Sequence, residues 1–340
     1  MDKMICFPNL GLELKHVGSA LHFFGFELTF GSLLIAAGML LGLLFMVLEA
    51  KRRNEDQNAY LGMTVTALIT GMIGGRLFYV ILFPDLYKDA MMRVFDLTDG
   101  GMSFYGGLAG GILGAGIYCA IRKLSFMNMA DTASISLVLA QAIGRWADFF
   151  NRESFGEYTD SVLAMQLPLS SVRSSDVSSL MRENLVTVHD ISCIQVHPVF
   201  LYESAWCLIL FLLMVVWKRR RSFSGEVFLR YLCGYGLGRI LFEWLRTDKL
   251  CIPGTSIYVS LYISVALFVI CGITASVRGT MSRKRAQIQK HRREVVLEAQ
   301  EKFAKAQAEE INTPNSDLPK EETAAAETSE TEEAVSEEVK

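Results

Sequence analysis

The chain has 340 residues, half of them hydrophobic, and 33 Lys and Arg against 36 Asp and Glu give a net charge of −3. Its apolar residues gather in runs that approach or exceed the roughly 20 needed to cross a bilayer. A soluble enzyme of one large or two ordinary domains is thereby excluded, because it would alternate shorter apolar runs with polar ones. The charge is unevenly spread. Residues 309–340 hold eleven acidic residues and two lysines, which leaves 31 basic against 25 acidic residues, or +6, in the first 308. A modestly basic body suits a protein among anionic lipids, and no nucleic-acid partner is expected. Seven cysteines, at 6, 119, 193, 207, 233, 251 and 271, form no ligand-spaced pair. Neither a zinc site nor a disulfide framework is expected, and no metal or cofactor.

In chain order, residues 1–27 make an arm ahead of the first span. The pattern then predicts an all-α polytopic membrane protein with seven spans, over 28–49, 61–83, 103–121, 131–150, 198–217, 226–245 and 255–276. The first lacks a basic leader and a small-residue cleavage site, so it reads as an anchor and not as a removable signal. Basic clusters at 51–53, 122–123, 218–221 and 278–293 all fall on one side of a seven-span chain. The opposite loops, 84–102 and 151–197, hold two and three Lys or Arg. This places the N-terminus outside and the C-terminus in the cytoplasm. The loop 151–197 is long enough for a small extracytoplasmic head. Beyond the catalytic body, 28–277, a basic juxtamembrane helix is expected over 278–308 and a disordered acidic tail over 309–340.

Ionisable groups inside spans are expensive and mark function. In the fourth span Gln141, Arg145, Asp148 and Arg152 stand at i, i+4, i+7 and i+11, which predicts one polar helix face. Snorkelling of Arg145 to the interface is the plainer alternative, but Asn151 and Glu153 enlarge the polar group beyond that need. The sixth span repeats the device with Tyr235, Arg239, Glu243 and Arg246. Here an internal Arg239–Glu243 pair is the plainer alternative. The second span sets Arg76 in TGMIGGRLFYV. The third carries a small-residue ridge, Gly106, Gly110 and Gly114, beside Tyr105. The fifth opens with His197 and Pro198, with Tyr202 and Glu203 within two turns. Buried arginines match phosphate geometry with forked donors, and the phosphate-bearing substrate native to a membrane is a phospholipid. The residues alone therefore support an outward-opening headgroup site without naming its reaction.

The same motifs carry a resemblance. Gly144-Arg145-Trp146-Ala147-Asp148-Phe149-Phe150-Asn151-Arg152-Glu153-Ser154-Phe155-Gly156 is similar to the hallmark Gly-Arg-x-Gly/Ala-Asn-Phe-x-Asn-x-Glu-x-x-Gly of the prolipoprotein diacylglyceryl transferases. GGRLFYV (74–80), GMSFYGGLAG (101–110), HPVFLYES (197–204) and GRILFEWLRTD (238–248) follow in that family's order, across roughly 20–275. The resemblance implies transfer of the diacylglyceryl group of phosphatidylglycerol to the lipobox cysteine of a preprolipoprotein in the bacterial inner membrane. A thioether forms and glycerol-1-phosphate leaves. It implies that Arg145 and Arg239 hold the phosphate, and that Asn151, Glu153, Glu203 and Glu243 orient the headgroup or the arginines. The expected catalytic set is Arg145, Arg239, Tyr105, Glu153 and Glu243. Arg76, Gly106, Asp148, Asn151, His197, Tyr202, Glu203, Tyr235 and Arg246 are expected to contact substrate. Two positions depart from the pattern. Tyr105 stands where many members have histidine, and a neutral phenol is a poor base at pH 7. Asp148 replaces the signature asparagine and adds a charge that can lock Arg145 in a pair. An anion transporter and a catalytically impaired lipid-binding homologue are the competing readings. The first predicts inverted repeats, of which the sequence shows none.

Overall fold

Thr29 turns an extended N-terminal segment into the first long helix. Its hydroxyl accepts the Ser32 N–H at 3.2 Å and caps α1 (Phe30–Arg52), whose last turn carries Lys51 and Arg52 beside the unpaired carbonyls. The computed structural model describes residues 4–15, 17–18, 20–23, 26–87, 94, 100–247 and 259–312. It divides into two units, Met1–Ser282 and Arg283–Lys340.

In the first unit, α2 (Gln57–Leu82) starts where the Asp56 carboxylate accepts the Asn58 N–H at 2.9 Å. Along it lies α3 (Phe104–Ile121). A Cβ at Gly106 would stand 2.5 Å from the Gly74 carbonyl oxygen, and one at Gly110 2.4 Å from that of Thr70. Only glycine permits this approach, so the ridge is a packing seam. Next come α4 (Phe126–Gly144) and α5 (Trp146–Asn151), separated at Arg145, then the short α6 (Ser179–Glu183). α7 (Val199–Trp217), α8 (Glu226–Glu243) and α9 (Val259–Asn312) complete the set. The second unit is helical through Asn312, and its side chains from Arg283 to Gln307 are exposed. The expected disordered tail lies outside the described residues from 313 onward.

The chain is mostly helical and polytopic by its apolar helices. Among the described residues, six helical stretches are long and apolar enough to cross a membrane: Phe30–Arg52, Gln57–Leu82, Phe104–Ile121, Phe126–Asn151, Val199–Arg220 and the stretch from Ser260. The expected sixth span, α8, is not among them, because its 18 residues include Glu226, Arg230, Arg239 and Glu243.

The all-α expectation is corrected outside the helices. Strands β1 (Ile5–Phe7), β2 (Leu12–Leu14), β3 (Ala20–Phe23), β4 (Phe26–Thr29), β5 (Met165–Pro168), β6 (Val186–Val188) and β7 (Ile191–Val196) form two sheets. One is antiparallel, in the order β2-β1-β5-β7-β6, and the other is the β3–β4 hairpin. The N-terminal arm and the loop 151–197 thus build one head, joined at the pair Cys6 and Gln166. Its sheet curls, since His189 in the β6–β7 turn reaches Glu13 on β2 at 3.5 Å. Burial pushes the Cys193 thiol up to about 11 and raises that of Cys6. Both stay protonated at neutral pH and act as small apolar groups. Ile5, Met165, Ile194 and Phe155 pack with Phe149 of α5 and Phe200 of α7, so one core seats the head on the helices.

A second core, with Ile135, Val138, Cys207, Leu210, Met214 and Tyr231, joins α4, α7 and α8. At the far end of that group α8 has no cap of its own: Gly225 precedes it. The fully buried Asp131 of α4 supplies one, accepting the N–H groups of Gly225 and Phe228 at 2.9 Å each. Asp131→Ala is expected to lower stability by about 1–3 kcal/mol by stranding these donors. Asp131→Asn, which keeps one acceptor, is expected to lose less. Thermal unfolding of the two purified variants checks the order, and equal stabilities would remove the cap's importance.

Candidate functional site

Glu203 stands in the second turn of α7 with only 5% of its surface exposed. Three arginines converge on it. Arg145 Nη1 lies 2.7 Å from Oε2, and Arg239 Nη1 and Arg246 Nη1 lie 3.2 and 3.4 Å from Oε1. These cations come from the α4–α5 junction, from α8 and from the residues just after α8. Two further carboxylates flank them. Asp148 Oδ2 is 3.3 Å from Arg145 Nη1, and Glu243 Oε2 is 3.5 Å from Arg239 Nε. The Ser260 hydroxyl of α9 accepts from Arg239 Nε at 3.2 Å and donates to Glu243 at 3.3 Å. Three positive charges therefore face three negative ones, which makes their burial tolerable.

Beside this cluster is a cleft. Arg145, Glu203 and Arg239 form its polar wall, and Trp206, Tyr235 and Phe242 its aromatic one. The Trp206 indole N–H donates to the Gly234 carbonyl at 3.0 Å. Gly238 makes room for that ring, since a Cβ there would meet Nε1 at 2.3 Å. Forked cationic donors against a flat apolar wall suit a group with an anionic head and an apolar body.

The expected α8 stripe is present, with Tyr235 and Arg239 at the cleft and Glu243 and Arg246 in the cluster. The expected α4 stripe is not continuous, which corrects that reading. The helix ends at Gly144, and Arg152 adopts a left-handed φ of 55°. Arg152 is buried and donates to the Val17 carbonyl at 3.1 Å, holding the arm instead of facing the cleft. Gln141 donates to the Tyr231 hydroxyl at 2.9 Å, one turn below Arg145. Only Arg145 and Asp148 of that stripe enter the cluster.

Other expected site residues lie elsewhere. Glu153 faces outward and pairs with Arg173 at 2.5 Å. Asn151 lies against Gly31 of α1, where a Cβ would come within 2.6 Å of its Oδ1. Arg76 is buried and donates to the carbonyls of Val94, Gly100 and Gly101 at 2.5–2.9 Å, clamping the approach to α3. Gly106 serves the α2–α3 seam. Among the described residues Tyr105 makes no hydrogen bond to the cluster; its ring contacts Phe104 edge-on at 5.7 Å. His197 Nδ1 is 3.4 Å from the Tyr202 hydroxyl, and its backbone bonds Gly156 and Glu157. Burial holds the His197 imidazole below its usual range, so it is neutral at pH 7. The sequence reading missed Ser154, whose hydroxyl accepts from Arg246 Nη2 at 3.1 Å, Ser260 between Arg239 and Glu243, and Trp206 and Cys207 in the lining of the cleft. The two serines carry no charge or periodic signal, and their importance lies in partners from other elements.

The chain was compared with known proteins. A family model described as prolipoprotein diacylglyceryl transferase matches residues 19–277. The phosphatidylglycerol--prolipoprotein diacylglyceryl transferase of Clostridioides difficile (strain 630) is 34% identical over 227 residues, covering 67% of this chain and 82% of that one. That of Finegoldia magna is 32% identical over 260 residues, covering 76% and 94%. The protein of the same name from Listeria welshimeri is 34% identical over 217 residues, covering 64% and 74%.

Proposed function

The chain belongs to the prolipoprotein diacylglyceryl transferase family, and from that premise we propose that the arginines gathered on Glu203 are its transfer site. It is an enzyme of lipoprotein maturation, a phosphatidylglycerol–prolipoprotein diacylglyceryl transferase. The acceptor is the lipobox cysteine of a preprolipoprotein signal peptide. Its thiolate sulfur bonds to the terminal glyceryl carbon, and the bond from that carbon to the phosphate oxygen breaks. The electron pair stays on the departing glycerol-1-phosphate, and the thiol proton is lost to the medium.

The observation that supports this reading is the convergence of Arg145, Arg239 and Arg246 on one buried carboxylate. A phosphodiester is a forked anion of similar geometry, so it can take over donors that Glu203 and Asp148 hold. As charge builds on the leaving phosphate, the fixed arginines stabilise it without reorganising. Trp206, Tyr235 and Phe242 offer a surface for the glyceryl body. Glu203, Glu243 and Asp148 orient the arginines. Tyr105, Glu153, Asn151, His197 and Tyr202 are left to the approach of either substrate, and Arg76 and Gly106 to shaping it.

Seven spans remain the proposed topology, with α8 crossing as a shielded member of the bundle. Glu226 bonds Arg230, and Arg239 and Glu243 turn to the cluster, so their charges meet partners and not lipid. The four basic clusters then lie in the cytoplasm and the head outside, in the bacterial cytoplasmic membrane.

The test uses the full chain in vesicles containing labelled phosphatidylglycerol, with a lipobox peptide. The peptide is expected to gain a diacylglyceryl group in thioether linkage as glycerol phosphate is released. Peptide recovered unmodified from vesicles that hold folded, membrane-inserted protein would overturn the reading.

A further inference from the structure

The transfer site leaves the far part of α9 without a task. Every side chain of residues 283–307 is exposed, and among them Ile288, Val295, Val296, Leu297 and Phe303 are at least half exposed. Most of these fall into register. Ile288, Val295, Ala299, Phe303 and Ala306 follow at steps of seven, four, four and three, with Val296 beside them, so all six share one helix face. Leu297 stands apart from that face.

The charges are sorted about the stripe. Residues 283–293 hold six Lys or Arg and no Asp or Glu. By the same helical spacing Arg285 and Arg292 fall within the stripe, and Lys284 and Lys302 along its border. Glu294, Glu298 and Glu301 fall away from it, and Lys290 pairs with Glu294 at 3.8 Å on the far side. Long basic side chains in and beside an apolar stripe lay their stems along it and carry their charge past its edge. That order fits an anionic lipid surface, with apolar residues at the acyl boundary, cations among the headgroups and acids toward water.

The same helix carries the apolar stretch from Ser260 that is long enough to cross a membrane, so the segment begins where a lipid surface is already at hand. Gly279 stands between the two. A Cβ there would meet nothing nearer than the Phe223 ring at 3.9 Å, so packing does not demand the glycine, and it gives the helix a place to bend. A second copy is a poorer occupant of the stripe. Paired in parallel, it would set Arg285 and Arg292 in the seam against their own counterparts.

We propose that residues 283–307 are a membrane-surface helix, which docks its apolar stripe and the basic residues around it on anionic lipid beside the span it leaves. On the proposed topology that surface is the cytoplasmic leaflet.

The test puts single cysteines into the full chain, Ile288→Cys and Phe303→Cys in the stripe, and Gln287→Cys and Glu301→Cys away from it. Each variant is reconstituted in nanodiscs of phosphatidylcholine alone or mixed with phosphatidylserine, an anionic lipid that is not the proposed donor. The rate of reaction with a water-soluble maleimide is read above the background of the parent chain. The stripe cysteines are expected to react about tenfold slower in the anionic discs. Those away from the stripe are expected to react at equal rates in both. Each basic residue near an anionic surface contributes about fivefold to binding, so adding Arg285→Gln/Arg292→Gln is expected to remove the protection. High salt is expected to remove it too. All the altered side chains are exposed, and recovery of each variant in the membrane fraction is the control. Stripe cysteines that react equally in the two lipids, or equal protection of both faces, would overturn the proposal. So would protection in phosphatidylcholine accompanied by cross-linking of Ile288→Cys between copies, which assigns the stripe to a second copy.

Discussion

Glu203→Ala is expected to destabilise the protein by about 3–5 kcal/mol and to abolish transfer, because it strands charges that were buried as partners. Arg145, Arg239 and Arg246 would lose their common anion and face each other across the space it leaves. Asp148 and Glu243 offset only part of this, each reaching one arginine. Glu203→Gln keeps the shape and one acceptor but not the charge. It is expected to fold with a lowered midpoint and to be inactive as well. Thermal unfolding in detergent and thioether formation in vesicles measure the two effects. Wild-type stability of Glu203→Ala would mean that the three arginines do not depend on it.

Arg145→Ala is expected to separate the same two quantities in the opposite way. Glu203 keeps Arg239 and Arg246, so the variant should insert and remain folded while losing lipid transfer. Arg145→Lys tests geometry against charge. A lysine is a point charge without the planar fork, and loss of one oriented donor at the departing phosphate corresponds to a drop of about 10²–10³ in kcat. Lysine supporting full transfer would show that Arg145 supplies only charge. Recovery of both variants in the membrane fraction is the control.

The contrast between α8 and α4 shows what the sequence could disclose. Tyr235, Arg239, Glu243 and Arg246 were legible as a stripe because the helix is unbroken to Glu243 and its next turn stays close to helical. The same rule failed for Arg152, since the helix ends at Gly144 and Arg152 turns left-handed, while Gln141, still on α4, is spent on the Tyr231 hydroxyl. Periodicity reports a face only as far as the helix runs. A head in 151–197 was foreseeable from loop length, but its strands and the share of the N-terminal arm in them were not, for a different reason. Strands of three to six residues such as Ile5–Phe7 and Val186–Val188 have no local signature, and Cys6 finds its partner at Gln166, across the whole first half of the bundle. Glu203 could be listed from its place in HPVFLYES, but not recognised as the common partner of three arginines, because they arrive from separate elements. Ser154 and Ser260 were invisible for that reason too.

The composition of α8 bears on how the molecule is made. An isolated helix with four ionised groups in 18 residues enters lipid at a penalty of about 2.5–3.5 kcal/mol for each charge near its centre. Its compensations are supplied by others: Asp131 of α4 at its start, Glu203 of α7 and Ser260 of α9 near its end. On the proposed seven-span topology, it is expected to enter the membrane together with the helices on either side of it. On that topology, a chain cut short after Thr247 is expected to leave α8 without its Ser260 partner on α9. The charges proposed for transfer then also serve to tie α8 to its neighbours.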